Sequence, residues 1–429
     1  MNSIIINPHR EQWPEIIQRP QIESNDLEKT VLEIINTVKQ SGDQAVKDYS
    51  LKFHGFSPDN LWVSLDEINN AAKAIDKELK KAILLAKKNI EKFHRQQIEK
   101  VKKVETSAGV ICWRKNVPVQ KVGLYIPGGS APLFSTLLML AIPAKIAGCK
   151  NILVTTPADK SGNVDSTVLF IAHILGIKNI YKGGGAQAIA AMAYGTQTVK
   201  KVDKIFGPGN QFVTCAKKLV NMNGVAIDML AGPSELAVYA DDTCIPTFVA
   251  ADLLSQAEHG ADSQVLLVAA DESIIEKVIN EIHMQLPLLS RKKIIERSFL
   301  NRRFLVIEQT KDAFDLLNEY APEHLIIASK NAEKFSELVK NAGSVFLGNL
   351  SPESAGDYAS GTNHSLPTNG TSKTYSGVSV DSFVKKITFQ KISRKGIKNI
   401  GPCVEKMAAA EKLDAHKNAI SIRLQKIKK

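Results

Sequence analysis

The chain has 429 residues, 44% of them hydrophobic and 23% charged, enough to bury a large core without covalent staples and to form roughly two to four domains. Its net charge of +11 comes from lysines grouped between Lys73 and Lys103 and from Lys385 to the end, with no interleaved aromatics, which reads as solvated helix faces rather than a nucleic-acid surface. Cys112, Cys149, Cys215, Cys244 and Cys403 form no CxxC pair, the N-terminus lacks a secretory pattern, and no apolar run reaches the roughly 18 residues of a membrane span, so a soluble, cytoplasmic protein with reduced thiols is expected, binding neither nucleic acid nor membrane.

In chain order, a short N-terminal extension precedes a helical region. "SNDLEKTVLEIINTVKQSGDQAV" offers capping candidates Ser24, Asn25 and Asp26 and an apolar stripe through Leu27, Val31, Ile34, Ile35 and Val38. "SLDEINNAAKAI" opens with Ser64 and Glu67 in capping-box spacing, and a Lys/Glu-rich helix follows to about residue 100. From Val122 the pattern changes. "VGLYIP", "NILVTTP", "NIYKGGG" and "KIFGPGN" read as strands, each ending in Gly or Pro before a helix. A second alternating series follows: "ELAVYA", "QVLLVAAD", "RFLVIE", "HLIIAS" and "SVFLGN". Alternation of this kind predicts two open α/β domains with mostly parallel, Rossmann-like three-layer sheets, whose ligands sit at the carboxyl ends of the strands. "SPESAGDYASGTNHSLPTNGTSKTYSGVS" is then a long Gly/Ser/Thr loop region, and the tail from Val384 reads as a strand or two and a helix.

Several positions carry chemistry. In "FVAADLLSQAEHG" the helical stripe Val249, Leu253, Gln256, His259 starts apolar and ends in an amide and an imidazole, with Gly260 suited to a positive φ just past the helix. The pair reads either as a satisfied core histidine or as two metal donors. "APEHL" sets Glu323 beside His324 at a loop-to-strand junction, either a charged turn or two proton acceptors of different pKa. Asp357 and His364 lie in the Gly/Ser loop; Glu411 and His416 lie on the last helix. "PGGSAP" (Gly128, Gly129), "GGGAQA" (Gly183 to Gly185) and "GPGNQF" (Gly207, Gly209) each place backbone N–H groups between strand and helix, where phosphate could be met. None is a GxGxxG fingerprint, so the motifs alone indicate a nucleotide site, not a specific dinucleotide.

Taken together, "AIDMLAGPSELAVYADDTCIPTFVAADLLSQAEHG", "GLYIPGGSAPLFST", "GGAQAIAA", "KIFGPGN", "PEHL", "SAGDYASGTNH" and "AAAEKLDAHKNA" resemble the histidinol dehydrogenase family, in the same order and from about residue 20 to the C-terminus. A third glycine, Gly183, stands where an apolar residue is expected. The resemblance implies NAD-dependent oxidation of L-histidinol through L-histidinaldehyde to L-histidine, with one Zn²⁺ per subunit. It implies Gln256, His259, Asp357 and His416 as metal ligands, a set with one formal negative charge, and Glu323 and His324 as the catalytic pair. Ser234, Glu411 and His364, with His324 and the ligands, correspond to substrate contacts; Tyr125, Gln187 and Asn210 correspond to NAD contacts. It also implies a homodimer whose C-terminal tails complete each other's sites. The expected organisation is an extension over 1–24, a discontinuous domain of 25–121 with 235–380 carrying zinc and catalytic residues, a second α/β domain over 122–234, and a swapped tail over 381–429.

Overall fold

The computed structural model describes residues 4–20, 25–57, 59–128, 133–229 and 232–428. Ser24 and Gly129, named above, lie outside the described residues. The chain divides into two compact units, one of residues 1–96 and 120–382, the other of residues 97–119 and 383–429.

The larger unit holds two parallel sheets. In one, five strands run in the order Ile180–Lys182, Asn151–Thr156, Lys121–Tyr125, Lys204–Phe206, Ala226–Ile227. In the other, six run in the order Ile5–Ile6, Arg303–Val306, Gln264–Ala269, Glu235–Ala240, His324–Ala328, Ser344–Leu347. Glu235–Ala240 and Gln264–Ala269 are buried along their whole length, as parallel strands covered on both faces must be. The expected α/β class is found, and every strand foreseen in the two alternating series is present. In the five-stranded sheet the order reverses between Lys121–Tyr125 and Lys204–Phe206, which opens a crevice at the ends of those strands.

The helices Asn25–Ser41 and Asp43–His54 differ from expectation in where they pack. Val31, Ile34, Ile35, Val38 and Val46 join Ile189, Met192 and Val220 in one core, so this region sides with the 122–234 sheet and not with 235–380. An amphipathic stripe announces a buried face but not which sheet buries it. The capping box is present: Glu67 N donates to Ser64 Oγ (3.1 Å) and Ser64 N to Glu67 Oε2 (2.7 Å). The other Glu67 oxygen takes Lys182 Nζ at 2.8 Å. The Lys/Glu-rich helix runs Lys77–Arg95, shorter than read from sequence. Gly183 sits with its missing Cβ position 2.9 Å from the Tyr181 ring, so the departure from the family pattern accommodates a buried tyrosine.

The smaller unit was not foreseen as such. Lys103–Ser107, Val110–Pro118 and Val384–Ile392 form an antiparallel sheet with Val110–Pro118 in the centre, and the Trp113 and Phe389 rings stack at 5.4 Å. Residues 97–119 therefore leave the α/β region, and the tail does not stand alone. It ends in two helices, Arg394–Ala410 and Asp414–Lys428, broken at Lys412, whose φ is 58°. No helix among the described residues is long and apolar enough to cross a membrane, and Cys112, Cys215, Cys244 and Cys403 are free thiols.

Candidate active site

His324 opens the strand His324–Ala328, which pairs in parallel with Glu235–Ala240 so that His324 lies opposite Leu236. This register sets the backbone of Glu235 against both residues of the Glu323–His324 pair. Its N–H donates to Glu323 Oε2 at 3.0 Å, and its carbonyl lies 3.3 Å from His324 Nδ1. A carbonyl can only accept, so Nδ1 carries the proton and Nε2 keeps its lone pair. That Nε2 is buried without a hydrogen-bond partner and faces Asp357 Oδ1, also unpartnered, at 3.7 Å. Burial, with His259 and His364 adding to it, lowers the His324 pKa to about 3, leaving a neutral base. Glu323 is pushed up by burial and by the charges of Glu235 and Asp357, against the pull of the Glu235 N–H. The pair stands at the loop-to-strand junction read from sequence, at the amino end of His324–Ala328, and not at the carboxyl ends where ligands of such sheets were expected.

Beside the pair, ligand atoms of His259, Glu353 and Asp357 lie within 4.8 Å of one another. The helix Pro246–Ala257 ends before His259, and Gly260 does not take the expected positive φ; His259 is instead held by a turn in which its N–H reaches Gln256 O at 3.3 Å. His259 keeps an exposed edge, while packed protein on its other side, with Arg291, lowers its pKa. Gln256 is fully buried; with its amide oriented as its neighbours require, Nε2 donates to Glu353 Oε2 at 3.1 Å and also to Oε1, and its oxygen accepts from Glu235 N at 3.2 Å.

Glu353 was missed from sequence because it falls in the stretch read as loop. The stretch contains the helix Glu353–Tyr358, and the four-residue spacing to Asp357 puts both carboxylates on one face. Burial, then Asp357, Glu323 and Asp252, push Glu353 well up, and burial pushes Asp357 and Asp252 each to about 7. The site thus holds more carboxylate than the one negative charge of the expected ligand set. Acidic groups that raise one another's pKa, next to an imidazole and two orphaned buried atoms, suit a divalent cation with nitrogen and oxygen donors.

Ser234, Glu323 and His364 line one cavity with Gly207, Pro208 and Asp228. His364 Nε2 is 3.2 Å from Ser135 Oγ, a partner not read from sequence, and burial lowers the His364 pKa to about 4. The cavity joins these residues to the crevice of the five-stranded sheet. There Tyr125 OH accepts from Gly185 N at 3.0 Å, and Asn210 caps its helix by accepting from Phe212 N (3.1 Å) and Val213 N (3.2 Å). Gln187 is buried with neither amide atom partnered, which an uncharged polar ligand at this helix start would remedy. Glu411 and His416 belong to the smaller unit, where both are exposed. They do not share one helix as read: Glu411 follows Arg394–Ala410, and His416 lies on Asp414–Lys428.

Comparison with known proteins places this arrangement. The family model described as histidinol dehydrogenase matches residues 17–424. Histidinol dehydrogenase from Bacteroides thetaiotaomicron is 55% identical over 428 residues, covering 100% of both chains. That from Bacteroides fragilis is 56% identical over 426 residues, 99% of this chain and 100% of the relative. The crystal structure of histidinol dehydrogenase from Elizabethkingia anophelis superposes with a TM-score of 0.97 at 54% identity, covering 100% of this chain and 99% of that one. Matched along nearly its whole length by model, relatives and solved structure, the chain belongs to the histidinol dehydrogenase family and with it to the oxidoreductases.

Proposed function

We propose that the chain oxidises L-histidinol through L-histidinaldehyde to L-histidine, the last stage of histidine biosynthesis, with two NAD⁺ consumed per substrate. The observation that carries this reading is the free lone pair of His324 Nε2, facing Asp357 beside the His259–Glu353–Asp357 group. His324 takes the hydroxyl proton as hydride leaves the substrate carbon. Glu323 then activates the water that hydrates the aldehyde, and His324 accepts a proton again in the second oxidation. Keeping one substrate in place for both steps avoids release of a reactive aldehyde.

Zinc held by Gln256, His259, Asp357 and His416 of the partner subunit would supply a Lewis-acid anchor for the substrate's imidazole and amine. Ser234, His364 and Glu411 orient that substrate. NAD⁺ held at Tyr125, Gln187 and Asn210 would supply the hydride acceptor. In the expected homodimer the exposed positions of Glu411 and His416 leave them available to a neighbouring chain. The scattered free thiols support a reducing, cytoplasmic setting.

The test is NADH formation from L-histidinol before and after chelation. Two NADH per histidinol, lost on metal removal and restored by zinc, are expected; activity that survives complete metal removal overturns the metal role. A second expectation concerns the orphaned amide. Gln187→Leu removes a polar contact worth about 0.5–1.5 kcal/mol, so KM for NAD⁺ should rise roughly 2- to 10-fold with KM for histidinol unchanged; an unchanged KM for NAD⁺ removes Gln187 from the cofactor site.

A further inference from the structure

Both residues of the Glu323–His324 pair are held by the backbone of one residue, Glu235, through its N–H and its carbonyl. What holds Glu235 is therefore as important as the pair itself. Its side chain is 3% exposed and forms a two-point ion pair with Arg19: Nε to Oε1 at 2.5 Å and Nη2 to Oε2 at 2.8 Å. Asn369 N adds a bond to Oε1 at 2.7 Å.

Arg19 is itself seated on four sides. Nη2 donates to Tyr320 O at 2.6 Å, and the guanidinium lies 4.1 Å over the Tyr320 ring. Tyr320 OH donates to Gln264 Oε1 at 2.9 Å, and Gln264 Nε2 returns to the backbone of this segment at Gln18 O, 3.1 Å. Gln264 is the strand partner of Glu235, so the network closes on the residue it supports. Gly370, at φ 72°, brings backbone over the guanidinium, and a Cβ there would stand 3.2 Å from Nη1. A planar, always charged, bidentate donor is what such a buried carboxylate needs, and Lys cannot reproduce it.

We propose that Arg19, from the N-terminal segment, is a positioning residue for the Glu323–His324 pair and acts through Glu235. The inference rests on the reading of that pair given under Proposed function. Arg19 touches no reacting atom. It fixes the Glu235 backbone, and with it the direction in which His324 Nε2 presents its lone pair. Loosening that backbone misplaces the base without removing any substrate contact.

The experiment is steady-state kinetics on the full-length enzyme. Arg19→Met should lower kcat about 10- to 100-fold, the cost of a misplacement on the ångström scale, with both KM values within about 3-fold of wild type. Arg19→Lys should fall between, and guanidinium at low concentration should restore part of the Arg19→Met rate. Glu235→Gln should lower kcat similarly, and adding Arg19→Met to it should cost almost nothing more, because the two act as one unit. If Arg19→Met does not fold, Arg19→Lys carries the test, with reduced kcat at unchanged KM as the expected result. A folded Arg19 variant with wild-type kcat, or losses that multiply in the Glu235→Gln background, overturns the proposal. Glu323→Gln run in parallel separates the two readings. If it stays fully active, the assignment of the pair is wrong; if it is inactive while the Arg19 variants are not, only the role of Arg19 falls.

Discussion

Chains carrying Glu323→Gln are expected to lose roughly 10²- to 10⁴-fold in kcat, chains carrying His416→Ala to lose zinc and activity together, and the two refolded together to recover. The substitution at Glu323 is conservative in shape: the glutamine oxygen can still accept the Glu235 N–H, 3.0 Å away in the carboxylate. What it cannot do is take a proton from water. His416 is exposed on the smaller unit, so its loss should leave each chain folded. In a mixed dimer, the site that combines Glu323 of the His416→Ala chain with His416 of the Glu323→Gln chain is intact; the other carries both lesions. Random pairing makes half the dimers mixed, so the recovered rate should approach about a quarter of wild type. No recovery, with mixed dimers demonstrated, would mean that each chain builds its own site.

The two parallel sheets were legible because their strands are nearly continuous apolar runs closed by Gly or Pro, a pattern that buried parallel strands impose. The antiparallel sheet was legible only in its last strand, Val384–Ile392, read as a strand from Val384; Lys103–Ser107 is exposed at most positions and carries no burial pattern, so its pairing with Val110–Pro118 was not. The strand Ile5–Ile6 is too short to show a period. In the site, the turn from apolar to polar along Val249, Leu253, Gln256 and His259 was readable. Glu353 was hidden by a loop-like composition, although its spacing to Asp357 was available. Arg19 and Glu235 carried no local signal: their significance lies in a contact across 216 positions of chain. The break at Lys412 was equally silent, since a non-glycine residue holds the positive φ.

Lys217→Met is expected to destabilise the larger unit by about 3–5 kcal/mol, the cost of leaving a buried charge without its partner. Lys217 and Asp228 are 2% and 3% exposed and 2.5 Å apart. The pair also grips the backbone of Gly207 on both sides: Gly207 N donates to Asp228 Oδ2 and Lys217 Nζ donates to Gly207 O, each at 2.8 Å, while Met229 N donates to Asp228 Oδ1 at 2.7 Å. Removing the lysine leaves Asp228 with backbone donors and, as opposing charge, Lys204, which is not hydrogen-bonded to it. Adding Asp228→Asn removes the carboxylate charge and keeps an oxygen for one backbone N–H, so the double variant should be more stable than Lys217→Met alone. Denaturant unfolding of the three proteins checks the order. The same strand-end loop leads from Gly207 to Asn210, so the double variant should also bind NAD⁺ more weakly, through a rise in its KM, than its stability alone would suggest. A Lys217→Met chain as stable as wild type would show that the Gly207 backbone is held by its own sheet and helix, and that the ion pair contributes nothing to the crevice.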